Sequence, residues 1–285
     1  LETIITSEKI NLIIFTCQGR EHLLLKSYAS FKNACDYEFG KIILAIDGPV
    51  DPSIIAEIKP DLVIQHPERR GYVNSIAQTV KVITSPYFFW LEDDWSFNQK
   101  IDLPYLLSQL QQNNDWAEII LSKYGPLSDE MKLYPLADNL YQSIYGFSAN
   151  PAICNTGHIQ TAFTKLANKG AILGEEGFEV FLWKKFEAEN IKCAILDPVD
   201  QQSLSHEGYL ESTPRNWHMT NSLEEKTKAH LLIIPEPSFA RRCYMVIKLF
   251  KACTSLAVRQ LTNNKAYEYC FRIIVTAISV KNDQY

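Results

Sequence analysis

No two of the seven cysteines form a CxxC pair, and their odd count leaves any complete set of disulfides one partner short. Free buried thiols in a reducing compartment are expected, rather than a disulfide framework or a zinc site. No apolar run reaches the length of a membrane span, and no basic-then-apolar stretch opens the sequence, which starts at Leu1. Internal repeats and low-complexity segments are missing as well. There is no overall positive charge either: the net value of −5 gives no general pull toward nucleic acid. What remains is an ordinary folding composition of 46% apolar and 21% charged residues, enough over 285 residues for one large α/β domain or two small ones.

The charge is uneven. Residues 236–285 hold eight basic against three acidic side chains, so this tail carries +5 and residues 1–235 carry −10. A boundary is therefore expected near 235, with a main domain over 1–235 and a basic helical tail over 236–285. Helices are expected at 222–230, 238–261 and 264–280. The second of these mixes Arg and Lys with Tyr244, Val246, Ile247, Leu249 and Phe250. Such a helix can lie on an anionic membrane surface or pack on its own domain with the charges in solvent. The expected setting is cytoplasmic, with residues 238–261 as the one candidate for peripheral contact at a membrane's inner face.

Apolar runs and helical periods alternate through the first hundred residues. INLIIFT (10–16), KIILAIDG (41–48), DLVIQH (61–66) and a run entering Tyr87 read as strands. Helical stretches separate them, the third starting near Asn74. This order predicts a mostly parallel sheet with helices on both faces, a Rossmann-like α/β fold. Further on, a helix is expected over 101–113, a strand over 116–125 and, over 126–150, loop with room for one short element. A strand and helix should follow to about 168, then an amphipathic helix over 174–190 and a strand over 192–198. Residues 199–219 are polar and aromatic without period.

The chain is organised around SPYFFWLEDDWSF, 85–97. Tyr87 to Leu91 run straight into Glu92, Asp93 and Asp94. A continuous apolar run of this kind suits a strand buried on both faces, which puts the acids at its carboxyl end, where ligand crevices open in α/β sheets. Adjacent carboxylates repel unless a cation or hydrogen-bond donors offset them. Oxygen ligands suit Mg²⁺ or Mn²⁺ completed by phosphate oxygens. Three acids can also simply cap a strand-to-helix turn in solvent.

Around that run, four landmarks resemble the GT-A fold of nucleotide-sugar-dependent glycosyltransferases, closest to family 2, over roughly residues 10–210. TCQGR (16–20) resembles the family's Thr-x-x-Arg segment against the nucleotide, which implies Thr16 and Arg20 as donor contacts, Arg20 offsetting diphosphate charge. Asp47 in LAIDG stands where the family has an acid for base or ribose, although many members have two; an Asp in a tight Asp-Gly-Pro turn is the other reading. RRGYVNSI (69–76) resembles the loop leading into a helix beside the nucleotide, with Gly71 allowing close approach and Asn74 as a helix cap. Glu92-Asp93-Asp94 matches Asp-x-Asp with Glu in first place. This implies Asp94 in direct metal contact and Glu92 on the metal through water or on the donor, with Asp93 beside them.

For catalysis, GEEGFEV (174–180) resembles the family's Glu-Asp segment. Glu176 is then the expected base and Glu175 its neighbour on the acceptor, though the two can exchange roles. His206 in SLSHEGY is a candidate third metal ligand, and a surface loop histidine otherwise. His158 is a weaker candidate, read rather as an acceptor-site or structural residue. Trp95, Trp183, Tyr209 and Trp217 can stack on sugars or pack in the core. The resemblance implies a nucleotide-sugar half over about 1–100 and an acceptor half over about 101–235. It also implies a nucleoside-diphosphate sugar donor, Mn²⁺ or Mg²⁺, and a glycan, lipid-linked or small-molecule hydroxyl acceptor. The expected transfer is inverting. The alternatives are a non-catalytic binder of nucleotide or glycan, and a sugar nucleotidylyltransferase, which usually has a Gly-rich loop where this chain has only Gly19.

Overall fold

In the computed structural model, residues 9–121, 134–142, 146–168, 177–196 and 203–207 are described. The chain divides into two units, Leu1–Ala229 and His230–Tyr285, and every described residue lies in the first. The helices expected after 221 lie outside the described residues.

The first half alternates as its pattern predicts. β1 (Asn11–Cys17) leads to α1 (Glu21–Ala34), β2 (Ile42–Asp47) to α2 (Pro52–Ile58), and β3 (Leu62–Gln65) to α3 (Tyr72–Val80), before β4 (Tyr87–Glu92). Then follow β5 (Trp95–Phe97), α4 (Leu103–Gln112), β6 (Trp116–Ile120), β7 (Tyr134–Ala137), β8 (Leu140–Gln142), β9 (Ala152–Asn155), α5 (Thr156–Asn168), α6 (Phe178–Ala188), β10 (Lys192–Leu196) and β11 (Leu204–His206). Nine strands make one sheet in the order β3-β2-β1-β4-β9-β6-β10-β8-β7. β1 to β4 are mutually parallel, β6 and β10 run with them, and β9 and β8 oppose their neighbours.

Each strand near the centre buries both faces. In β1, Leu12 and Ile14 face α1, α2 and α4, while Ile13 and Phe15 face α3, α5 and α6; in β4, Phe89 and Leu91 take the first face, Phe88 and Trp90 the second. This two-sided burial explains why the strands read as unbroken apolar runs, and why helices cover both faces. On the second face Trp90 packs against Phe15, Phe147 and Phe163, at ring separations of 4.5 to 6.4 Å.

Several boundaries differ from the sequence-based expectation, each for a local reason. α3 begins at Tyr72, with Gly71 as its cap residue, so Asn74 is not the cap; it lies in the first turn and its Oδ1 accepts from Gln78 Nε2 at 3.1 Å. The start is fixed two residues earlier by Asp47, which binds the amides just ahead of the helix. α6 begins at Phe178, not 174, because Gly177 is extended (φ −62°, ψ 165°). The expected strand at 116–125 ends at Ile120. Within the loop expected over 126–150, β7 and β8 form an antiparallel pair. β5 and β11 have only three residues each, too short to show a period, and exist because they pair with one another.

Candidate active site

β1 lies between β2 and β4, so the chain leaves β1 toward one edge and returns on its other side. Such a reversal opens a crevice at the carboxyl ends of the two strands. Thr16 and Cys17 end β1, and Glu92 ends β4, with Phe15 paired to Glu92. The residues expected at this edge meet here. Thr16 Oγ1 donates to Asp93 Oδ2 at 2.7 Å. Arg20, at the turn into α1, donates from Nε to Asp93 Oδ1 at 2.9 Å and from Nη2 to Asp94 Oδ2. Its fork therefore spans two neighbouring carboxylates, a charge-assisted geometry that lysine cannot reproduce. The Asp93 and Asp94 side chains are 7% and 9% exposed, whereas Arg20 is 25% exposed, so the guanidinium is the member turned to solvent.

His206 reaches the same place from far along the chain. β11 pairs antiparallel with β5, His206 opposite Trp95, and the ladder is extended by Asn98 N donating to Ser203 O at 2.9 Å and Glu207 N to Asp94 O at 2.6 Å. This brings His206 Nε2 to 3.4 Å from Asp94 Oδ2, with its ring edge-on to Trp95 at 4.7 Å. Trp95 is thus core, supporting the imidazole. Lys26 on α1 pairs with Glu207 at 2.5 Å and fastens the strand's end.

The electrostatics follow from crowding three acids in a dry place. Burial, then Asp94 and Asp93, hold the Glu92 carboxyl well above the usual range. Burial also pushes Asp93 up to about 7, against the opposing pull of Arg20. For Arg20 burial works against the charge, yet Asp93 and Asp94 outweigh it and raise its pKa. Burial and Asp93 push the Cys17 thiol up to about 12.

Asp47 ends β2 beside Cys17. Its two oxygens accept from Arg70 N at 2.7 Å and Gly71 N at 3.0 Å, which ties the 69–71 loop to the sheet edge. At Gly48 the backbone has φ +100°, and a Cβ would stand 2.8 Å from Arg69 Cγ, so only glycine fits the turn. Asn74 stays on α3, bonded to Gln78. Glu175 and Glu176 lie outside the described residues, as do Tyr209 and Trp217. His158 bonds the Asn114 carbonyl at 2.7 Å, beyond the far end of β9 from the acids, and so serves structure there. Trp183 packs over Gly146, where a Cβ would meet it at 2.1 Å.

Two further acids escape a sequence reading. Because β9 runs against β4, with Trp90 opposite Ala152, the segment ahead of β9 lies at the carboxyl edge of β4 and β6. Glu118 on β6 is fully buried and accepts from Ser148 N at 2.9 Å. Glu179, in the first turn of α6, accepts from Ala149 N at 2.7 Å and Ser148 Oγ at 3.3 Å. These bonds hold the start of α6 against the segment ahead of β9, at the carboxyl edge of β4 and β6. The only sequence signal for Glu118 is an acid inside WAEII, an interruption in an apolar strand.

The same geometry tests whether a divalent cation fits. Among the described residues no three His, Cys, Asp or Glu side chains converge as a complete cation site. Asp94 and His206 do converge, and Asp94 Oδ1 is buried without a hydrogen-bond partner. Two ligands on one octahedral cation with bonds near 2.1 Å stand about 3 Å apart, close to the separation found. A pair of protein ligands suits a cation whose other positions go to diphosphate oxygens and water.

Residues 12–172 match the family model described as Glycosyl transferase family 2. Among solved structures, one described as "Crystal structure of S. aureus TarS 1-349" is similar at a TM-score of 0.50 and 14% identity, over 97% of this chain and 92% of that one, a likeness of fold. No curated protein matches. The family match takes in more than half of the chain, including Thr16, Arg20, Asp47 and the three acids after Leu91, and on that ground the chain belongs to glycosyltransferase family 2.

Proposed function

We propose that this glycosyltransferase moves a sugar from a nucleoside-diphosphate sugar to a hydroxyl of a glycan or lipid-linked glycan, by a single inverting displacement with a divalent cation, Mn²⁺ or Mg²⁺, at Asp94. The observation that carries the reading is the constellation of Arg20, Asp93, Asp94 and His206 at the β1–β4 crevice. Arg20 is the partly exposed cation that meets the donor's diphosphate. Asp94 and His206 hold the cation, and Glu92 approaches it through water or touches the donor. A bound cation supplies Lewis-acid stabilisation of the leaving diphosphate, so that leaving-group loss needs no proton. Thr16 and Asp93 keep Arg20 in register. Asp47 and Gly71 shape the loop beside base and ribose, with Asn74 one turn into the helix behind it.

Glu176 takes the proton from the acceptor hydroxyl as that oxygen attacks the anomeric carbon, with Glu175 orienting the acceptor. Support comes from α6, whose first turn holds Glu179 against Ser148 and Ala149 at the carboxyl edge of β4 and β6. Residues 1–100 bind the donor and 101–235 the acceptor. The basic residues of 236–285 suit a cytoplasmic enzyme that touches an anionic inner leaflet through 238–261.

The test is thermal stability with a panel of nucleoside diphosphates, each with and without Mn²⁺, since a ligand of the folded state raises Tm. One diphosphate that raises Tm in a Mn²⁺-dependent way is the expected result and identifies the base. No shift with any of them overturns the donor site.

A further inference from the structure

Arg20 and a divalent cation have claims on the same oxygen. Arg20 Nη2 donates to Asp94 Oδ2, the atom that also lies 3.4 Å from His206 Nε2. Both carboxylates are less than a tenth exposed, while Arg20 covers them at a quarter exposed. The other Asp94 oxygen is buried with no hydrogen-bond partner. Asp93 is committed on both oxygens, to Arg20 and to Thr16.

We infer that Arg20 is the built-in counter-cation of this site, and that it couples the binding of cation and nucleotide. With no ligand bound, the guanidinium offsets the charge of Asp94 and occupies the oxygen that lies beside His206. A divalent cation reaching Asp94 must displace a positive charge already hydrogen-bonded there, so cation binding alone is weak. A diphosphate at the crevice offers Arg20 another anion. When Arg20 turns to it, Asp94 Oδ2 is released toward His206, and Thr16 stays behind to hold Asp93. Each ligand thus removes an obstacle to the other, and by linkage the gain in cation affinity from nucleotide equals the gain in nucleotide affinity from cation. The inference rests on the donor-site reading above for the nucleotide, but its cation half stands on the ion pairs alone.

The experiment is a Mn²⁺ titration of the full chain, following the electron-paramagnetic-resonance signal of free Mn²⁺, for wild type, Arg20→Lys and Arg20→Ala. It is run without nucleotide and with the diphosphate that gives the largest Tm shift. Wild type is expected to bind Mn²⁺ about tenfold or more tightly with the diphosphate than without, in the ordinary range of coupling between two sites. Arg20→Ala is expected to tighten nucleotide-free Mn²⁺ binding by about the same factor, leaving only the diphosphate dependence that the phosphate oxygens supply as ligands. Arg20→Lys, which keeps one charge but cannot fork across both acids, should fall between and covers the case in which the alanine variant does not fold. Nucleotide-free Mn²⁺ binding that is unchanged or weaker in both variants overturns the inference. If no diphosphate shifts Tm, the donor-site reading fails instead, and the nucleotide-free comparison of wild type with Arg20→Lys still decides whether Arg20 guards Asp94.

Discussion

Asp93 and Asp94 after β4, and Glu118 and Glu179 beside the segment ahead of β9, are offset in different ways; the first three are buried and Glu179 is half-buried. Asp93 and Asp94 face a side-chain cation, Arg20, which is partly exposed. Glu118 and Glu179 face backbone amides, Ser148 N and Ala149 N, which cannot leave without unmaking the segment. A side-chain counter-ion can be exchanged for another charge, whereas a main-chain donor fixes position. On the proposed reading the first pair meets ligands, while the second fixes the 148–149 segment.

The largest break in this comparison should come where a released charge does chemistry. Glu176→Gln is expected to lower transfer about a hundred- to ten-thousandfold, the usual range for losing a general base, with nucleoside-diphosphate binding kept within about twofold. Product formation and a Tm titration measured side by side check this, and a larger loss from Glu175→Gln would exchange the two roles. Asp94→Ala should cost about a hundredfold or more in transfer. Its circular dichroism spectrum should stay that of the wild type, and retained turnover would remove Asp94 from the cation.

The fixed pair should answer in stability rather than in ligand binding. Glu118→Ala leaves Ser148 N without its acceptor and is expected to cost about 1–3 kcal/mol in urea denaturation. Glu118→Gln should cost less, since an amide keeps an acceptor and has the shape of a neutral acid. Burial, with Glu179 nearby, holds the Glu118 carboxyl well above its ordinary value of 4.5. The folded chain then binds a proton that the unfolded chain releases, so this residue's contribution to stability is full below pH 4.5 and falls as pH rises from there toward the folded value. Glu118→Gln should therefore flatten that part of the stability curve, and parallel curves for the two proteins would show Glu118 ionised. The smallest effect is expected at His206: His206→Gln should weaken Mn²⁺ binding about tenfold, measured by the free-Mn²⁺ signal, with no change in Tm without metal.

Much of the first hundred residues was legible because their signals are local. An apolar run between polar turns defines β1, β2 and β4, and the acids after Leu91 mark the carboxyl end of β4. The cap at Asn74 was misread because the helix start is set by Asp47, 23 positions from Arg70, and no cap pattern contains that residue. β5 and β11 were unreadable because three-residue strands carry no period and owe their existence to each other.

The sequence by itself determined the two-faced strands, the flanking helices and the placing of three carboxylates at one strand's end, because burial and periodicity act over neighbouring residues. It also placed Thr16 and Arg20 at the end of the first strand. Only the tertiary structure decided which charges meet. Arg20 pairs with acids 73 and 74 positions away, and His206 comes to Asp94 on a strand that forms only against Trp95–Phe97. Sheet order sets those meetings, through backbone ladders that no local pattern encodes.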